Sequence, residues 1–246
     1  MNELLGKKAL VTGGSRGIGA ATAVALAERG ADVALTYNNS PEAAAKVVKE
    51  IEALGRRAFA LEVDATDAVA VGDVVRRAAD LLDGLDILVN NAGVGAIGPI
   101  TDLTLADVDQ VLAVNVRGVY AATQAAVPVL SDGGRLIHLG SCAAGRVTSP
   151  GMTLYAMSKA ALVGLSKGLA RELGSRRITS NVVQPGPTDT DMNPADGPYA
   201  EAQIGDLALD RYGEPSEVAE AIAYLAGPHA AFITGTELTI DGGHTA

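Results

Sequence analysis

The stretch Ala9-Leu10-Val11-Thr12-Gly13-Gly14-Ser15-Arg16-Gly17-Ile18-Gly19 decides how the rest of the chain is read. A short apolar run of strand length ends in a glycine turn, and an alanine-rich helical pattern follows from Ala20 to Arg29, closed by Gly30. Strand, turn and helix make the first half of a βαβ unit. Glycines at 13, 17 and 19 allow a tight turn and let backbone N–H groups approach a phosphate at the positive end of the helix. The spacing is G-x-x-x-G-x-G, which departs from the general dinucleotide fingerprint, and a glycine turn can be purely structural. Its place between strand and helix favours nucleotide binding.

The alternation continues outward. Val33–Thr36 reads as a second strand, Pro41 to Leu54 as a helix, and Arg57 to Val63 as a third strand ending in Asp64-Ala65-Thr66-Asp67, whose last residues suit a helix start. A helix from Val69 to Leu82, a strand from Leu85 to Val89 and a long helix from about Leu105 to Leu130 come next. Arg135–Leu139, Ile178–Gln184 and Glu237–Ile240 read as strands, and Leu154–Leu173 and Pro215–Ala226 as helices. Strands alternating with helices imply a parallel sheet covered on both faces, so the expected fold class is α/β, a single doubly wound (Rossmann) domain over residues 1–246. Pro185 to Pro198 is Gly/Pro-rich and aperiodic, and the segment from about 187 to 213 is the expected substrate lid.

Composition narrows the function classes. The 246 residues include 29 glycines and no tryptophan, and 48% are hydrophobic. The formal net charge is −10 with no run of Lys or Arg, which argues against nucleic acid or an anionic membrane as partner. No segment has the continuous apolar length of a membrane span. A lone cysteine, Cys142, excludes a disulfide within the chain and reads as a pocket-lining or core residue. With no h-region at the amino terminus, a cytoplasmic protein is expected. His138, His229 and His244 are scattered without metal-ligand spacing, so no metal site is expected.

Tyr155 and Lys159 stand four residues apart within a helical pattern and so share one face. A free phenol has a pKa of ~10, and a neighbouring ammonium draws it toward the range of a proton-transfer catalyst. Alone, the pair is also what any solvated helix face shows. In order along the chain, however, stand Thr12-Gly13…Gly17-Ile18-Gly19, Asn90-Asn91-Ala92-Gly93, Ser141, Tyr155…Lys159 and Pro185-Gly186. That ordered set resembles the short-chain dehydrogenase/reductase family across essentially the whole chain.

The resemblance implies a catalytic group of Asn115, Ser141, Tyr155 and Lys159. Tyr155 would exchange a proton with the substrate oxygen, Lys159 would tune it and hold the nicotinamide ribose, Ser141 would hold the substrate oxygen, and Asn115 would anchor a water relay. Without the resemblance, Asn115 reads as a core or capping residue. The resemblance also implies dinucleotide contacts from Gly13, Ser15, Arg16, Gly17, Ile18 and Gly19, from Asp64 and Ala65 beside the adenine, and from Asn91, Ala92 and Gly93 along the ribose. Pro185, Gly186 and Thr188 would serve the carboxamide side.

Charge bears on the cofactor. Folds selective for NAD place a carboxylate at the end of the second strand, but Asn38, Asn39 and Ser40 stand there, and Arg16 in the glycine turn can meet a 2′-phosphate. NADP(H) is therefore expected, with NAD(H) as the alternative. The expected substrate is a small ketone or secondary alcohol. An acyl-carrier thioester, as in the similar 3-oxoacyl-acyl-carrier-protein reductases, is the alternative. It is disfavoured because Ser131-Asp132-Gly133-Gly134-Arg135 lacks a basic greeting surface and the acidic chain would repel an acidic carrier. A nucleotide-binding sensor with little turnover is a further alternative from another class. By resemblance, the chain is expected to form a tetramer or dimer through its long helices.

Overall fold

The computed structural model describes residues 2–246. Seven parallel strands form one sheet in the order β3-β2-β1-β4-β5-β6-β7, with β1 Lys8–Val11, β2 Asp32–Tyr37, β3 Ala58–Glu62, β4 Leu85–Asn90, β5 Leu130–Leu139, β6 Thr179–Pro185 and β7 Glu237–Ile240. This is the doubly wound α/β architecture that the alternation implied. Winding runs from β1 toward β3, then returns past β1 to β4 and onward, so the strand order reverses between β1 and β4. Ligands of such sheets bind at the carboxyl ends of the strands beside that reversal.

Side chains leave a strand on alternate faces, and the central strands are apolar on both. Ala9 and Val11, Ile87 and Val89, and Ile137 face one core, together with helices α1 (Gly17–Glu28), α2 (Pro41–Ala53) and α8 (Pro215–Ala226). Leu10, Leu88 and Leu136 face the other, with α3 (Ala68–Leu82) and α5 (Val119–Ala126) and the Leu173 end of α6 (Thr153–Glu172). Leu26 and Ile222 on one side and Leu82 on the other are wholly buried. Each such side chain contributes about 1.5–3 kcal/mol by leaving water.

Two boundaries differ from the sequence reading in ways that matter to the site. Helix α1 begins at Gly17 rather than Ala20, because the last glycines of the turn already supply its first N–H groups. The long helix expected over 105–130 is three pieces: α4 (Leu105–Leu112), a π-helical segment (Ala113–Gly118) and α5. Its last expected residue, Leu130, opens β5. Apolar spacing runs smoothly through the π segment, which is why the interruption leaves no mark in the pattern. A short helix, α7 (Ala200–Gly205), lies within the expected lid.

Candidate active site

The glycine turn is held in place by its neighbours. Thr36 accepts from Gly13 N–H through its hydroxyl at 3.0 Å and from Gly14 N–H through its carbonyl at 2.8 Å. The Asn91 amide donates to the carbonyls of Thr12 and Gly13 at 2.9 Å each, and Thr12 Oγ1 accepts from the backbone of Asn91 and Ala92. Asn91 thus staples the turn to the end of β4. A Cβ at Gly19 would stand 2.3 Å from the Gly13 carbonyl oxygen, so only glycine fits there. Gly17, at φ 53°, takes the left-handed backbone that leads into α1. Ile18 packs on the core beneath, and Ser15 is half-buried in the turn.

The remaining cofactor candidates on this side follow β2 and β3, the two strands to one side of β1. Asn38 and Asn39 are exposed beyond β2, and Ser40 precedes α2. Asp64 accepts from the backbone and hydroxyl of Thr66, which hold its carboxyl below the ordinary range, while Asp67 caps α3. The carbonyl of Ala65 lies so close to Gly118 that a Cβ there would stand 2.8 Å away. An open depression of about 810 Å³ adjoins Asp64 and the Asp109–Arg117 surface, and none of Ser141, Tyr155 and Lys159 lines it. Arg16 is two-thirds exposed, with its guanidinium 3.3 Å from Asp191 in the 187–213 segment.

Ser141, 8% exposed, follows β5 and accepts from Ala143 N–H while its own N–H donates to Gln184 Oε1 at 2.6 Å. Gln184 reaches it because Gly140 has no Cβ; one would lie 2.1 Å from that amide oxygen. Burial holds the Tyr155 phenol above its ordinary value; the Ser141 hydroxyl opposes that rise and nearby Cys142 adds to it. Burial likewise pushes the Cys142 thiol up to about 11, helped by Asp241. Such a thiol is a poor nucleophile at neutral pH.

Lys159 is 4% exposed, and its ammonium donates to the Leu139 carbonyl at 2.9 Å and lies 5.8 Å from the Tyr155 ring centre. Burial lowers its pKa to about 8. The sequence reading has Lys159 lowering the phenol. In the structure burial outweighs any such pull, and the ammonium is directed at the Leu139 carbonyl.

Asn115 sits in the π segment with no exposure. Its amide accepts from Val94 N–H and donates to the Val94 carbonyl and the Ser158 hydroxyl, at 2.9, 2.9 and 3.0 Å. A Cβ on Gly93 would lie 3.2 Å from Lys159 Nζ and 3.4 Å from Asn115 Oδ1, so these three residues converge at one point. Asn115 therefore fastens the loop after β4.

Pro185 ends β6, Gly186 abuts Asp241 too closely for any Cβ, and Thr188 is 5% exposed with its hydroxyl on the Gly186 carbonyl. The ends of the 187–213 segment are tied together: Gly213 N–H donates to Pro187 O at 3.0 Å and Asp189 N–H to Gly213 O at 2.9 Å. His138 is a buried core residue between Asn90 and Ser180 and is held neutral, near about 4, by burial. Among the described residues no cluster of metal-ligating side chains occurs and no helix is long and apolar enough to cross a membrane. Sequence reasoning missed Gln184, the Leu139 carbonyl and Asp191. Of these only Gln184 left a trace, as a polar residue in an apolar strand.

The structure brings together Ser141, Tyr155, Lys159 and Asn115 at the carboxyl ends of β4, β5 and β6, next to the glycine turn. The residues also fit a phosphorylated dinucleotide: free N–H groups at the start of α1, no carboxylate after β2, and a solvent-exposed guanidinium at Arg16. A family model described as enoyl-(acyl carrier protein) reductase matches residues 13–245. The chain is 44% identical to a cyclic-di-GMP-binding biofilm dispersal mediator protein of Escherichia coli, covering 98% of each. It is 38% identical to a 3-oxoacyl-[acyl-carrier-protein] reductase of Staphylococcus aureus, covering 96% of this chain and 97% of that one. A solved short chain dehydrogenase from Burkholderia cenocepacia, in complex with NADP, shares 57% identity and a TM-score of 0.98 over 99% of this chain and 100% of that one.

Proposed function

The chain belongs to the short-chain dehydrogenase/reductase family, and from that premise we propose that it interconverts a small ketone and a secondary alcohol with Tyr155 as general acid and base. It is an oxidoreductase of the CH–OH/C=O couple, and its cofactor is NADP(H), the form held by the Burkholderia cenocepacia relative. Bound NADPH supplies the hydride. The chain's own residues manage the proton. The observation that carries the reading is the half-buried Tyr155 packed against the buried Lys159 beside Ser141. A phenol held above its ordinary pKa stays protonated at neutral pH, which is the form that donates to a carbonyl oxygen during reduction. Ser141 offers its hydroxyl to the same oxygen. Lys159 holds the nicotinamide ribose, Asn115 anchors a water relay to that lysine, Arg16 takes the 2′-phosphate, and the segment tied at Pro187 and Gly213 forms the substrate lid.

Tyr155→Phe tests this. Ketone-dependent NADPH oxidation should be lost while NADPH binding changes less than about twofold; undiminished turnover refutes the role. Arg16→Ala should reduce the preference for NADPH over NADH. An acyl-carrier substrate is disfavoured by the net charge of −10, since an acidic carrier would be repelled. A side-by-side assay with simple ketones decides. The Escherichia coli relative's name favours a second reading, a nucleotide sensor with little turnover. That reading predicts cyclic-di-GMP binding that is unaffected by Tyr155→Phe and negligible turnover across a ketone panel. Assembly as a tetramer or dimer through α4–α6 is part of the proposal, and a monomer mass in light scattering refutes it.

A further inference from the structure

Asp191 is delivered to Arg16 by a braced turn. Asn193 N–H donates to the Thr190 carbonyl at 3.0 Å, leaving Asp191 and Met192 at the tip. Behind the tip, Asn193 Nδ2 donates to Gln203 Oε1 at 2.9 Å, and the buried Tyr212 hydroxyl donates to the same oxygen at 2.7 Å. In front, Thr190 lies against the glycine turn, where a Cβ on Gly17 would come within 3.2 Å of its methyl group. The tip carboxylate then stands 3.3 Å from the Arg16 guanidinium, with both side chains about two-thirds exposed. The guanidinium that the proposed function gives to the cofactor's 2′-phosphate is thus also held by a carboxylate of the lid. A phosphate carrying nearly two negative charges cannot share that site with a carboxylate without repulsion.

We propose that Asp191 competes with the 2′-phosphate for Arg16, making it a cofactor-specificity residue that couples phosphate recognition to release of the lid tip. This rests on the reading of Arg16 as the phosphate ligand. A cofactor bearing the phosphate displaces Asp191; one without it leaves the pair intact. The effect is modest, because an exposed ion pair at this distance shifts a binding constant by about twofold to fivefold.

The test uses binding without turnover. Dissociation constants of NADPH and NADH are measured by nicotinamide fluorescence at low salt for the wild type, Asp191→Asn, Arg16→Ala and the double variant. Amide hydrogen exchange at 189–194 is followed with 2′,5′-ADP or 5′-AMP. Asp191→Asn should tighten NADPH twofold to fivefold while leaving NADH within experimental error, and the gain should shrink in the Arg16→Ala background. In the wild type, 2′,5′-ADP should speed exchange at the tip and 5′-AMP should not. In Asp191→Asn exchange should be fast with either. If Arg16→Ala collapses the NADPH preference but Asp191→Asn leaves it unchanged or lowers it, the competition is overturned and Arg16 keeps its role. If Arg16→Ala leaves the preference untouched, the phosphate reading falls and the competition falls with it.

Discussion

Replacing Lys159 by methionine should make the protein more stable at neutral pH while removing its activity. The ammonium is 4% exposed and has one hydrogen bond, to the Leu139 carbonyl. Burial brings its pKa from 10.5 to about 8. At ~1.4 kcal/mol for each tenfold change in proton affinity, holding that lysine charged at pH 7 costs the fold about 3 kcal/mol. Methionine keeps the stem, removes the charge and forfeits one hydrogen bond from a charged donor, worth ~1.5–3 kcal/mol. The net gain is about 0–1.5 kcal/mol, or up to ~6 °C in melting temperature for a chain of this size. The sign of the pH dependence follows from the folded value lying below the unfolded one. Between pH 8 and 10.5 the unfolded chain binds more protons, so wild-type stability rises with pH there. The variant's lead should be full below pH 8 and close toward pH 10.5. Urea unfolding at pH 7, 8, 9 and 10, at one protein concentration, measures it. A variant less stable than wild type at pH 7, or a lead as large at pH 10 as at pH 7, refutes the account.

His138, held near about 4 by burial, should remain neutral at pH 5 by NMR, and its contribution to stability, lost as pH falls from 6.5 through 4, should disappear from the acid limb in His138→Gln. Gly19→Ala forces a methyl group to within 2.3 Å of the Gly13 carbonyl and should cost ~1–3 kcal/mol in unfolding experiments and weaken NADPH binding by at least tenfold in fluorescence titration. Asn115→Leu leaves Val94 N–H and C=O without their partner and should lower stability by about 2–5 kcal/mol, read from the urea midpoint.

The sheet and its strands were legible because alternation of apolar runs with helical patterns is a property of neighbouring residues. Ala9-Leu10-Val11 declares a buried strand wherever it occurs. The catalytic candidates were legible only through their order along the chain, since Tyr155 and Lys159 alone match any solvated helix face. The interruption at Ala113–Gly118 was hidden because a π turn keeps its apolar side chains buried and needs no proline or glycine pair to announce it. The direction of the Lys159 ammonium was hidden for another reason: its acceptor is a backbone carbonyl at Leu139, and every residue has one. Arg16 and Asp191 are 175 positions apart, and nothing local to either names the other.

The π segment makes the length of the chain at this point a determinant of the site. A residue step in a regular helix turns a side chain by about 100°, and a π turn is one residue more than an α turn holds. Deleting one residue of 113–118 other than Asn115 would let α4 and α5 fuse into one uninterrupted helix. Asn115 would then swing away from Val94 and Ser158, and the loop bearing Gly93 would lose its fastening. Conservative exchange of side chains is therefore a milder change here than loss of one residue: a family of variants can drift in composition across this segment, but its spacing is quantised.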